Sequence, residues 1–380
     1  MNILKRGIYL IIFCLPLYLV RFEVFKIPTT LLELLVYGLF LLWFINKGYK
    51  GLLGALNSER LLIWGILLLL LGVSMATLFS WNLRLSAGIW KAWFIDPILF
   101  FVVLITVIKK EDIDNIFKPL IYSGFVVSII SLIYLFLGKF NYQGRLQGIF
   151  DSPNFLAMYL APVLIILMTR IVFTKNYRRI LYLVSCFPFL IVLFFTKSFG
   201  VLLGILAVIG FGVIVYLYNK NKHKLVLGIV ILTFVIFLIF GIIKTNSSEG
   251  LSSFNARFVI WNEAINIFKQ YPLTGIGPGT FQDYFPPYPK WGVPQPHNIF
   301  LAFLIQTGLI GFIGFILILI WFFHPSRKAS DDKLCSVKLL LMMLMVCILA
   351  HGLVDTTYWK NDLSIIFWII IGLRTILSRP

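Results

Sequence analysis

The sequence predicts an all-α polytopic membrane protein of about twelve transmembrane helices. The 380 residues are 60% hydrophobic and only 13% charged, with a mean hydropathy of +0.96. That is more apolar surface than one water-soluble core hides. Apolar stretches long enough for a bilayer core of roughly 30 Å recur along the chain. Short basic connectors separate them, and one long polar interruption, residues 244–296, breaks the pattern.

In order, the expected spans lie near residues 7–20, 28–45, 61–79, 89–108, 116–137, 154–173, 179–196, 199–218, 225–243, 297–323, 335–354 and 362–377. The first follows Lys5 and Arg6 as a signal peptide would, but no small-residue cleavage site follows Val20, so it reads as a retained helix. Residues 46–60 and 109–118 read as interfacial connectors. The second contains Lys110-Glu111-Asp112-Ile113-Asp114, a DxD-like pair that reads as a solvated charged loop rather than a metal-nucleotide site. No internal repeat stands out, which gives little support to the paired halves of many transporters. Residues 1–380 therefore read as one integral membrane domain.

Basic loops stay cytoplasmic during insertion. With the N-terminus inside, 21 of the 33 Lys and Arg residues fall on the inner side, among them Lys47, Arg60, Lys118, Arg178, Lys220 and Arg374. Both termini are then cytoplasmic and the segment 244–296 is external. The net charge of +18 is largely this topology signal, with an affinity for anionic membrane lipids. It is spread over many short loops with no single stripe, which argues against a nucleic-acid partner. Cys14, Cys186, Cys335 and Cys347 have no metal-ligand spacing and imply neither a disulfide nor a zinc site.

On the outer side the expected cations are Arg84, Lys91, Arg145, Lys197 and Arg257, with His351 and Asp355 near the end of the eleventh span. Ionisable groups this close to lipid call for a counter-charge or water, and outer carboxylates are few, so an anionic substrate is expected. Within the external segment, residues 256–270 read as an amphipathic helix capped by Asn255 and ended by Pro272. An advance of about 100° per residue puts Phe258, Trp261, Ala264, Ile265, Ile267 and Phe268 on one face. Arg257 falls near the middle of that face, placed either to snorkel at a helix end or to hold phosphate oxygens. The glycines of Pro272-Leu273-Thr274-Gly275-Ile276-Gly277-Pro278-Gly279 form no dinucleotide loop, because no strand precedes them and the spacing is not GxGxxG. They read as a tight turn, followed by a proline-stiffened stretch to Pro296.

His297 follows Pro294-Gln295-Pro296 and opens the tenth span. The positive end of a helix dipole favours a neutral imidazole, which is the form of a general base. A capping or interfacial histidine would have the same local sequence. His351 and Asp355, at i and i+4 of one helical face, read either as an orienting pair or as a polar helix-packing pair.

His297-Asn298, nine residues, then Gly308-Leu309-Ile310-Gly311 resembles the signature of the O-antigen ligase and polymerase family. Arg257 with Trp261 and the Pro272–Gly277 run look like the rest of that family's C-terminal module. Arg145 with Gly148-Ile149-Phe150 and Pro153-Asn154-Phe155-Leu156-Ala157 resembles a looser pattern upstream. The resemblance implies a GT-C-type glycosyltransferase in the bacterial cytoplasmic (inner) membrane, with a large external loop between the ninth and tenth helices and a periplasmic or external active site. It implies transfer of a glycan from undecaprenyl diphosphate to an acceptor hydroxyl, such as lipid A-core, with inversion and with no metal or cofactor. His297 then corresponds to the general base and Arg257 to a diphosphate ligand; beside them, Asn298, His351 and Asp355 are the candidate acceptor or supporting residues.

The sequence departs from the family at one point. Where a middle helix often begins Ser-Arg-Gly, this chain has Thr196-Lys197-Ser198-Phe199-Gly200, with Phe199 in the arginine's place. Lys197, Arg145 and Arg84 are the candidates for the second phosphate contact. The alternatives are a polymerase using a lipid-linked repeat as acceptor, a protein-glycosylating relative, or a glycan-lipid flippase. A flippase would carry polar groups deep in several helices, whereas the main deep exceptions here are Glu33 and Asp96.

Overall fold

A computed structural model describes residues 2–24, 27–57, 59–174, 177–220, 251–285, 293–325 and 332–379. The expected ninth span at 225–243, and residues 244–250 and 286–292 of the polar segment, lie outside the described residues.

The chain opens with α1 (Asn2–Phe13), followed by a 3-10 turn over Leu15–Leu19. A two-stranded antiparallel hairpin follows, β1 (Arg21–Val24) and β2 (Ile27–Thr30), pairing Arg21 with Thr30. The Thr30 side chain then caps α2 (Leu31–Ile45) by accepting from the Glu33 amide. Short helical turns over Gly48–Gly51 and α3 (Leu52–Leu56) bend by 80° from α2. The membrane-length helices follow: α4 (Arg60–Leu78), α5 (Leu83–Trp90) continuing through one π-helical turn into α6 (Asp96–Val107), α7 (Ile113–Phe136), α8 (Pro153–Phe173), α9 (Tyr177–Thr196) and α10 (Phe199–Asn219). After α11 (Leu251–Gln270) and the single turn α12 (Phe281–Tyr284) come α13 (Ile299–Phe323), α14 (Asp332–His351) and α15 (Asn361–Ser378).

Among the described residues nine helices are long and apolar enough to span a bilayer, ten if the bent α2–α3 pair is one span. This is fewer than the twelve expected. The α1 helix has only 12 residues before it tightens into the 3-10 turn, and the expected ninth span is not described. The connector expected at 109–118 is helical from Ile113, through Pro119. The π turn over Lys91–Ile95 lies just before Asp96-Pro97, where proline supplies no amide to the ladder, and it lets α5 and α6 run on as one helix.

Helices α4 and α13 pack closely, and glycine makes the contact. A Cβ on Gly72 would stand 2.1 Å from the Gly311 nitrogen, and one on Gly314 would stand 2.3 Å from the Leu69 nitrogen. Backbones approaching this closely gain dispersion contacts that larger residues would prevent. Enclosed beside this pair, α15 is buried from Asn361 to Ile376.

Charged groups collect at the two ends of the bundle. At one end Lys5 pairs with Asp112, and Arg170 with Asp114 at 2.9 Å. At the other, the hairpin, the segment before α8 and the turn before α15 meet: Arg21 and Lys360 both reach Asp151 Oδ2, at 3.3 and 3.4 Å. Glu33 is no exception deep in the bundle. It lies in the first turn of α2, with its carboxylate 2.7 Å from Lys91 Nζ. Asp96 is fully buried at the start of α6.

Candidate functional site

His297 lies at the same end. It is not the first residue of a helix, as expected, because α13 starts at Ile299 and Asn298 is its cap, the side chain accepting from the Leu301 amide at 3.0 Å. His297 has φ +48°, in the left-handed region, where a non-glycine residue costs about 1–2 kcal/mol. Two bonds to the turn after α14 hold this conformation: Ile299 N to the Gly352 carbonyl at 2.7 Å, and Asn298 Nδ2 to the Leu353 carbonyl at 3.1 Å. Asn298 thus both caps α13 and ties its start to this turn.

The same turn carries Asp355. His297 Nδ1 stands 3.1 Å from Asp355 Oδ1, while Asp355 is only 2% exposed. Asn154 Nδ2, in the first turn of α8, donates to the same oxygen at 3.1 Å. His351 Nε2 faces the other oxygen at 3.5 Å, beyond a good hydrogen bond. The expectation that His351 and Asp355 share a helical face is corrected: α14 ends at His351, and Asp355 returns beside it through a turn. His351 is buried against Gly200, where a Cβ would fall 2.1 Å from its ring. Burial pushes the Asp355 carboxyl up, but the hydrogen bond from His297 and the nearby charges of His297 and His351 more than reverse this and hold it below the usual carboxylate range.

Two guanidinium groups flank this carboxylate. Arg145 donates from Nε to the Thr196 carbonyl at 2.7 Å and from Nη2 to Asn154 Oδ1 at 2.6 Å, which ties it to Asp355 through one amide. The neighbouring Leu146 amide bonds the Phe195 carbonyl at 2.9 Å, docking the segment before α8 on the end of α9. Arg257 donates from Nε to the carbonyl of Val354, next to Asp355, at 3.0 Å. Burial lowers the Arg145 pKa; the charge of Asp355 opposes this and the charge of Arg257 adds to it. Among the described residues, two guanidiniums and one carboxylate meet here.

The helix that carries Arg257 is longer than expected. It begins at Leu251 rather than 256, so Asn255 lies inside it and is not its cap. Ile260, Ala264 and Ile267 are buried, with Trp261 and Phe268 partly so, and Arg257 belongs to this inward face. Phe258 and Ile265, expected on the same face, are instead 50% and 43% exposed. The glycine turn has a defined seat. The Leu309 amide bonds the Pro272 carbonyl at 2.9 Å, and the Ile276 amide bonds the Ile305 carbonyl at 2.9 Å. Gly308, at φ +67°, kinks α13 there, and a Cβ on it would lie 2.0 Å from the Leu273 carbonyl oxygen.

Lys197 stands in the break between α9 and α10, with φ +50° and an exposed side chain, next to the Thr196 that anchors Arg145. Arg84 is not brought to His297. It lines a separate cleft with Arg21, Lys360 and Asn361. Asn154 belongs to the Pro153–Ala157 motif, which by itself gives it no role, and only the fold shows that it joins Arg145 to Asp355. Among the described residues no group of three or more His, Cys, Asp or Glu side chains is arranged to hold a metal ion.

Residues 184–316 match the family model described as O-Antigen ligase. The match covers about a third of the chain and supports assignment to the O-antigen ligase and polymerase family, whose members are glycosyltransferase-like enzymes. No curated protein matches the chain. With the membrane-length helices, the match implies a multi-pass bacterial inner-membrane protein with lipid-linked glycan substrates. Lys197, Arg257 and His297 lie within the matched residues, whereas Arg145, Asn154, His351 and Asp355 lie outside them.

Proposed function

We propose, with this family assignment as the premise, that the protein transfers a glycan from undecaprenyl diphosphate to an acceptor hydroxyl on the outer face of the membrane, as an O-antigen ligase with lipid A-core as acceptor. The observation that carries the reading is the His297 Nδ1 to Asp355 Oδ1 contact flanked by two guanidiniums. With Nδ1–H donating to the carboxylate, His297 Nε2 presents the lone pair of a base. It takes the acceptor proton, the hydroxyl oxygen attacks the anomeric carbon, and the bond from that carbon to the phosphate oxygen breaks. A single displacement inverts the anomeric centre. Asp355 orients the ring and stabilises the imidazolium that forms, replacing the helix dipole as the reason for basicity.

Arg145 and Arg257 meet the diphosphate, whose charge grows as it leaves. Arg145 then supplies the second phosphate contact that Phe199 interrupts, with Lys197 at the edge of the same site. Fixed cations suffice for this leaving group, so the reading requires neither a metal nor a cofactor. The polar groups of the site gather at one end of the bundle, which supports transfer over transport by a flippase.

Reconstitution with a lipid-linked glycan and acceptor tests the reading. His297→Ala is expected to abolish transfer while donor binding persists, and full transfer by this variant would overturn the base assignment. En bloc transfer of one glycan is expected, and a ladder of growing lipid-linked chains would show a polymerase instead.

A further inference from the structure

The cleft that holds Arg84 has a composition of its own. It encloses about 530 Å³ between the β1–β2 hairpin, the start of α5 and the start of α15. That is within the range of small-molecule sites, roughly 300–1,000 Å³. Arg21, Arg84 and Lys360 line it, with Ile89 and Trp93 among its apolar walls. Its polar floor is built. Glu33, 4% exposed, is neutralised by Lys91 at 2.7 Å and accepts from Asn361 Nδ2 at 3.2 Å, and Asn361 Oδ1 in turn accepts from Trp93 Nε1 at 3.0 Å. At the rim, Arg21 and Lys360 share one oxygen of Asp151. Among the described residues the lining thus sets three basic side chains, Arg21, Arg84 and Lys360, around a hydrogen-bonding floor and beside apolar walls.

The cleft and the His297 site also draw on the same two chain segments. Asp355 and Lys360 are five residues apart, which limits their separation to about 18 Å. Asp151, bonded to the cleft's cations, lies three residues before the Asn154 that bonds Asp355.

We propose that this cleft binds the phosphate-bearing headgroup of the acceptor glycolipid. The cations hold the phosphate, Glu33 and Asn361 meet sugar hydroxyls, and the apolar walls take the start of the lipid chain. This inference rests on the transferase reading, because it names the second substrate of that reaction. The shared chemistry is a phosphorylated amphiphile, whether it carries acyl chains or an isoprenoid.

Binding to the purified full chain tests it without turnover, with dihexanoyl phosphatidic acid, its uncharged diacylglycerol counterpart and farnesyl diphosphate as probes. Phosphatidic acid is expected to bind wild type and His297→Ala alike, and to bind Arg84→Gln/Lys360→Gln about tenfold or more weakly. Arg84→Lys is expected to retain most of the affinity. Farnesyl diphosphate binding that the double variant keeps and Arg257→Gln loses would show an intact fold and confine the isoprenoid to the His297 site. Farnesyl diphosphate binding that also falls in the double variant, with the thermal transition unchanged, would extend the cleft to an isoprenoid acceptor. Equal binding of phosphatidic acid by wild type and the double variant, or equal binding of the uncharged probe by wild type, would overturn the proposal. A His297→Ala variant active in transfer, with probe binding still tracking Arg84 and Lys360, would refute the base and leave the cleft standing.

Discussion

Replacing Asp355 by Asn keeps the side chain's size and removes its charge, so it isolates what the carboxylate does for His297. The contact is 3.1 Å long, and its carboxylate partner is only 2% exposed while the His297 ring is partly open to solvent. A hydrogen bond to a charged group contributes about 1.5–3 kcal/mol, and 1.36 kcal/mol is tenfold in rate. If that interaction strengthens as the imidazolium forms, kcat falls about 10- to 150-fold. A larger loss, approaching about 10⁴-fold, follows if the new amide donates to Nδ1 and moves the ring proton to Nε2, which removes the base. The guanidiniums keep their anchors on the Thr196 and Val354 carbonyls, so the KM for the donor is expected to change little. Initial transfer rates in proteoliposomes over a range of donor concentrations separate the two constants. A kcat within twofold of wild type, at an unchanged thermal transition, would refute the orienting role of Asp355.

Arg145→Lys cannot bond the Thr196 carbonyl and Asn154 Oδ1 in the forked geometry of the guanidinium, so donor KM is expected to rise about tenfold in the same assay. Gly72→Ala puts a methyl group 2.1 Å from the Gly311 nitrogen, and separating α4 from α13 is expected to cost about 1–3 kcal/mol, read as a lower thermal transition in detergent. Gly308→Ala forces an L side chain into φ +67° and against the Leu273 carbonyl, so the glycine turn should lose its seat, measured as faster proteolysis near residue 275 together with lower transfer. The folded Asp355 carboxyl lies below its unfolded value near about 3.9, so its stabilisation is full above that pH and is lost as pH falls through the folded value. The stability gap between wild type and Asp355→Asn is therefore expected to be largest near neutral pH and to shrink at about pH 3; a gap in thermal unfolding that instead grew toward pH 3 would show that burial prevails over the pairing.

The sequence determined what depends on local composition and spacing. Membrane-length apolar runs fixed the helical class and most of the spans from Arg60 onward, because each bilayer crossing must satisfy its own backbone. Helical periodicity placed Arg257 on an inward face, and the motif spacing singled out His297. The sequence misjudged positions where a few residues change the geometry. His297 is held outside its helix by bonds to residues 352 and 353, and α11 runs back through Asn255 to Leu251.

Only the tertiary structure decided which charges act together. Arg84 and Arg145 are both cations expected on the outer side, and although only Arg145 sits in a stretch resembling a family pattern, neither local sequence names a partner. The fold sends one to the hairpin cleft and the other, through Asn154, to Asp355. Asp355 reaches His297 across 58 residues of sequence because the α14–α15 turn is pinned to the start of α13. Such partnerships arise from the packing of separate helices, and no period or spacing along the chain records them.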